Sequence, residues 1–186
     1  MVERSDRVAQ IQARWRIERP DLDVAPQGVI ARLHRLAGHL TDELVAVYRQ
    51  HGLGEGDFDV LATLRRSGPP YELTPLEIAE QTMVTTGGMT KRIDRLEAAG
   101  LVTRRPSDRD GRSRVVALTP EGTRVIDDAF TDHMANERRL VDQLTPRQQE
   151  QLEGLLATWL TVYEPAVPDP DDGAEPTSRA KPRQRQ

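Results

Sequence analysis

Between Thr74 and Thr119 the chain changes its structural period within 46 residues, and few folds accommodate the order in which it does so. A short helical pattern (75–81) is followed by a turn at 82–84 and a second helical pattern at 85–99. Gly100 closes that second helix in the left-handed position glycine takes at helix ends. LVTRR (101–105) and RVVALT (114–119) then read as two short strands, joined by the polar, turn-prone PSDRDGRS. The order predicts a helix-turn-helix running directly into a β-hairpin. The fold class expected is mainly α with a small β-hairpin wing.

The flanking boundaries are set by a repeated helix-start signature. Thr74-Pro75-Leu76-Glu77 and Thr145-Pro146-Arg147-Gln148 each place a Thr N-cap, a Pro at the first helical position and an acceptor at the capping-box position. Thr119-Pro120-Glu121 has the cap, the proline and an acidic first turn. Upstream, 5–17 reads as a short helix with Val8, Ile11, Trp15 and Ile17 apolar. Residues 27–51 form a long amphipathic helix with Val29, Leu33, Leu36, Leu40, Leu44 and Val47 at three- and four-residue spacing. A helix from Asp57 to Arg66 turns Phe58, Leu61, Ala62 and Leu64 inward before SGPP breaks it.

Helices at 120–143 and 146–163 carry wide apolar stripes, the second through Leu152, Leu155, Leu156, Trp159, Leu160 and Tyr163. Sequence neighbours are too few to cover these stripes and that of 27–51. The expectation is a homodimer, rather than one larger core. The chain therefore divides into an extra N-terminal helix and loop (1–26), a dimerisation helix (27–56), a winged helix-turn-helix domain (57–119), C-terminal dimerisation helices (120–163) and a Pro-rich tail (164–186) expected to be disordered.

Charge is distributed unevenly. The whole chain is net −4, yet Thr82–Arg114 holds eight basic and four acidic residues, net +4, leaving −8 for the remainder. A basic island on an acidic body is the asymmetry that suits a polyanion. Cysteine is absent, so disulfides, thiolate metal sites and thiol nucleophiles are excluded. No apolar run approaches a bilayer span and the charged N-terminus lacks a signal-peptide apolar region, so a cytoplasmic location is expected. No nucleophile–base pair, phosphate-binding Gly loop or paired carboxylates stand out, so an enzyme is not expected and no cofactor is called for. His34, His39, His51 and His133 are scattered, which argues against a metal sensor; most of them read as ordinary polar surface.

On a helical wheel, Met89, Ile93 and Leu96 of the second helix face inward. Gly87, Gly88, Thr90, Lys91, Asp94 and Arg95 face outward, with Thr85 or Thr86 as the cap. Such a surface fits a major groove of double-stranded DNA: Thr85, Thr86, Gly87, Thr90, Lys91 and Arg95 are the candidate contacts. At the hairpin tip Arg109 and Arg112 are placed to reach an adjacent minor groove. Arg92 lies about 60° from the centre of the buried stripe, not on the outward face. Arg104 shares a strand face with Val102, while Arg105 faces the other way. Two inward-leaning arginines need an anion.

The stretch resembles the winged helix-turn-helix of the MarR family of bacterial transcriptional regulators. The resemblance is carried by AGLVTRR at 99–105, by Asp110-Gly111-Arg112 and by Leu118-Thr119-Pro120-Glu121-Gly122. It implies a homodimer with interlocking terminal helices on a pseudo-palindromic operator, and Asp110 orienting Arg112. The N-terminal helix with its Trp is similar to the urate-responsive, PecS/HucR-like branch. That likeness implies a ligand set of Trp15, Asp59, Arg92 and Arg104. The function expected is a ligand-responsive regulator, a repressor released by a small anion, urate foremost. The alternatives are a regulator for a di- or tricarboxylate or a phenolic compound, or an architectural DNA-binding protein.

Overall fold

The computed structural model describes residues 6–82, 88–106 and 114–164. Two compact units emerge, Met1–Leu140 and Val141–Gln186. In the first, the order is α1 (Arg7–Glu18), α2 (Gln27–Gln50), α3 (Glu55–Arg66), β1 (Glu72–Leu73), α4 (Pro75–Gln81), α5 (Met89–Ala98), β2 (Val102–Pro106), β3 (Arg114–Leu118) and α6 (Pro120–Val141). The fold is mainly helical with a small antiparallel sheet, as the sequence pattern predicts. No described helix is long and apolar enough to cross a membrane.

The capping signatures act as written. Thr74 Oγ1 accepts from the Glu77 amide at 3.2 Å, and the Glu77 carboxylate accepts from the Thr74 amide at 2.7 Å. Thr119 Oγ1 accepts from the Gly122 amide at 2.9 Å and donates to the Gly100 carbonyl at 2.7 Å, fastening the start of α6 to the end of α5. Gly122 allows that approach: a Cβ there would fall 1.9 Å from the Leu101 carbonyl oxygen.

The hairpin pairs Val102 with Leu118 through to Pro106 with Arg114. The sheet has a third strand that the sequence does not announce. β1 pairs with β3, Glu72 opposite Ala117 and Leu73 opposite Val116, giving the order β1-β3-β2. Two residues are too short to show alternation.

The core sits beneath the helix-turn-helix. Val60, Leu61 and Leu64 of α3, Ile78 of α4, Ile93 and Leu96 of α5, Val102, Val116 and Ile126 are buried almost completely. Each such side chain contributes about 1.5–3 kcal/mol by leaving water. Tyr48 stacks on Phe58 with ring centroids 4.0 Å apart. Burial raises the Tyr48 phenol to about 12, so it remains a donor. Its hydroxyl lies 3.2 Å from Nδ1 of His133, whose Nε2 lies 3.2 Å from the Glu137 carboxylate. The His133 ring is thus held between the phenol and the carboxylate. His133 is buried and partnered, unlike the polar surface expected of most of the histidines.

α1 docks on α2 through few groups. Asp6 caps α1 at the Ala9 amide and pairs with Arg32 of α2 at 2.7 Å. Val8 and Gln12 are buried, Gln12 donating to the Val24 carbonyl. The other apolar positions, Ile11, Trp15 and Ile17, stay exposed. So do Val29, Ile30 and Leu36 on α2.

In the second unit, α7 (Pro146–Leu160) starts at the Thr145 capping box. Gln149 donates to the carbonyls of Val141 and Leu144, tying the helix to its own lead-in. α7 has no buried residue, and Leu155, Leu156 and Leu160 face solvent. The expectation of a disordered tail falls on 165–186, outside the described residues.

Candidate nucleic-acid interface and anion site

α5 presents the candidate reading surface. Gly88 precedes it in the left-handed region (φ 90°), and Gly100 follows it there (φ 72°). Met89, Ile93 and Leu96 are buried as the wheel predicts, while Thr90 and Lys91 are exposed. The expectations for Thr85, Thr86 and Gly87, and for Arg109, Asp110 and Arg112, fall outside the described residues.

Three arginines of this region, Arg95, Arg104 and Arg105, are engaged by the protein's own acids, and the first turn of α3 holds the first of them. Asp57 is buried, and its carboxylate accepts the Gly54 amide at 3.1 Å, capping α3. The same carboxylate holds Arg95 by a fork, with Nε 3.2 Å from both oxygens and Nη2 2.5 Å from Oδ1. This hydrogen bonding raises the Arg95 guanidinium above its ordinary value. Arg95 lies on the exposed face of α5, as the wheel predicts, and its guanidinium reaches back to Asp57 of α3.

Arg92 is half-buried one turn earlier on α5 and packs on Gly56. A Cβ at Gly56 would meet Arg92 Nε at 2.4 Å and Cζ at 2.6 Å. Asp59 is half-buried in the same field. Burial, reinforced by Glu55, pushes its carboxyl above the ordinary aspartate value, against the opposing pull of Arg66, Arg92 and His133. The structure therefore brings Asp59 and Arg92 together.

It holds Arg104 elsewhere. Arg104 does face α5, as its strand parity predicts. There it is gripped by Asp94 and Glu97, and its amide donates to Glu97 at 3.1 Å. Arg105 pairs with Glu72 of β1. Trp15 projects from α1 with 48% exposure and takes no part in this chain's core. An open cavity of about 340 Å³ between α3 and α6 is lined by Ala62, Arg65, Arg66, Ile126, Asp127 and Phe130. Asp57 and Gly56 are the site residues that sequence reasoning missed. A helix beginning at Asp57 was expected, but nothing in the sequence named that residue's partner 38 positions away.

Two successive helices, α4 and α5, followed at once by the antiparallel pair β2 and β3, define a winged helix-turn-helix protein. The chain belongs to the MarR family. The family model, described as MarR family, matches residues 51–113. The HTH-type transcriptional regulator PecS of Dickeya dadantii is 39% identical over 149 residues, 80% of this chain and 90% of that one. A MarR family transcriptional regulator from Streptomyces coelicolor, solved in complex with DNA, superposes with a TM-score of 0.65 at 26% identity, covering 78% of this chain and 96% of that one. A cysteine-to-serine mutant of MarR from E. coli, solved with operator DNA, gives 0.63 at 25% identity, covering 75% and 99%. The family is one of transcriptional regulators, not enzymes.

Proposed function

We propose that the chain is a homodimeric, DNA-binding transcriptional repressor that reads a pseudo-palindromic operator and is released from it by a small anion, urate, bound at Arg92. The observation that carries the ligand reading is the seat of Arg92. A guanidinium on the DNA-reading helix rests against the bare backbone of α3 at Gly56, beside a half-buried Asp59. An anion that pairs with Arg92 acts directly on the helix that enters the groove, so ligand and operator bind in competition through one element.

The DNA reading is supported by the exposed Thr90 and Lys91 on α5 and by relatives solved on DNA. The dimer is supported by the uncovered apolar faces on α2 and, in the other unit, on α7. The similarity to PecS over most of both chains supports the choice of branch. Trp15, exposed on α1, is available to pack on a planar ligand ring.

The test is an operator mobility shift with urate titrated against wild type and Arg92→Ala. Urate should release the wild-type complex and leave the variant bound. A wild-type complex intact at millimolar urate removes urate as the effector. A thermal-shift panel of urate, xanthine, citrate and aconitate then finds the anion that raises the melting temperature by mass action.

A further inference from the structure

We infer that Arg95 is a positioning residue: its fork onto Asp57 sets the pose of the recognition helix on α3, and it makes no phosphate contact. The inference rests on the DNA-binding reading above. It assigns a role opposite to the one its wheel position predicts.

The ion pair is anchored on one side. Asp57 is 8% exposed, caps the α3 N-terminus through the Gly54 amide, and lies where the helix dipole favours negative charge. Arg95 is 59% exposed on its outer edge, yet its Nε and Nη2 are both committed to the carboxylate. A bidentate pair of this kind is geometrically specific, and DNA meets it as a neutral unit. A phosphate would have to take the guanidinium from a carboxylate that would then stand buried and unpaired, a costly exchange.

The helix it controls is short. α5 has ten residues, and its buried contacts are Met89, Ile93 and Leu96 on one face. That face fixes the depth of the helix but constrains its roll weakly. Arg92 and Arg95 are three apart, hence neighbours on the helix surface, and both meet the first turn of α3. Arg95 is held by a fork and cannot move without breaking the pair, so it is the pivot on which α5 sits against α3.

The test is operator binding by fluorescence anisotropy across a salt series, for wild type, Arg95→Gln, Asp57→Asn and the double variant, with circular dichroism melts to establish that each is folded. A pivot predicts that each single variant loses operator affinity about tenfold, that the double variant loses no more than either single one, and that the slope of log K against log salt stays at the wild-type value. A phosphate contact predicts the opposite signature. Arg95→Gln would lower the slope by about one, and Asp57→Asn would free a cation and tighten binding. That result overturns the inference, as does wild-type affinity in Arg95→Gln. The slope is also measured on random duplex of equal length, where a phosphate contact at Arg95 registers whether or not an operator is preferred. Failure of wild type to prefer its operator refutes the regulator reading, and is thereby distinguished from failure of the pivot.

Discussion

Substituting Gly56 by Ala should separate stability from ligand response. The added Cβ would lie 2.4 Å from Arg92 Nε, whereas ordinary contact begins at 3.4 Å, so the guanidinium must retreat by about 1 Å (3.4 − 2.4). The group that must move is the far end of a long side chain, not backbone, and re-seating it costs about 0.5–1.5 kcal/mol if it leaves its rotamer. Alanine in place of glycine within a helix returns up to about 1 kcal/mol. The two effects nearly cancel, so the melting temperature should move by no more than about 2–4 °C for a chain of this size. The ligand response should not be spared. A charge-assisted hydrogen bond is worth about 1.5–3 kcal/mol, and displacing the guanidinium from its seat should raise the urate concentration that half-releases the operator by tenfold or more. The assay is a mobility shift with urate titrated against wild type, Gly56→Ala and Arg92→Ala. Release of Gly56→Ala at the wild-type urate concentration, with Arg92→Ala resistant, would refute the claim that the Gly56 seat shapes the site.

Gly122→Ala meets the Leu101 carbonyl oxygen at 1.9 Å, and backbone cannot swing aside, so this variant should lose about 1–3 kcal/mol in urea unfolding, unlike Gly56→Ala. Thr74→Ala removes the cap of α4 and should cost about 1 kcal/mol by the same measurement. Asp59 holds its proton more tightly in the folded chain than in the unfolded one, because burial raises its carboxyl above 3.8. Stability from this group is therefore present below pH 3.8 and is lost as pH rises through the raised folded value. Asp59→Asn should flatten that part of the melting-temperature profile and stabilise the protein above it; an unchanged profile would remove the burial argument. Leu36→Glu, on the exposed face of α2, should shift the chain toward monomer in light scattering.

The helices were legible because their ends are written in local chemistry. Thr-Pro-x-Glu and Thr-Pro-x-Gln identify a cap, a first helical residue and a reciprocal acceptor within four positions, and the structure forms both boxes. The inward stripe of α5 was legible from its spacing. β1 was not, because two residues carry no period. The charged constellation was half legible. A helical wheel assigns an angle to Arg95 but not a reach, and the side chain is long enough to turn from the outward face onto Asp57. Strand parity turned Arg104 toward α5 correctly, but could not say that Asp94 and Glu97 would be waiting there. The burial of His133 was not legible, because burial of a lone polar residue depends on Tyr48, 85 positions away.

The central claim is that this chain reads a DNA sequence with a helix whose arginines Arg92 and Arg95 answer to α3. Its most direct test is fluorescence anisotropy of the wild-type protein on the duplex from its own upstream region and on a shuffled duplex of equal length, at matched salt, with and without urate. The account predicts at least about a thousandfold preference for the upstream duplex, abolished by urate. Equal affinity for the two duplexes, insensitive to urate, would contradict it.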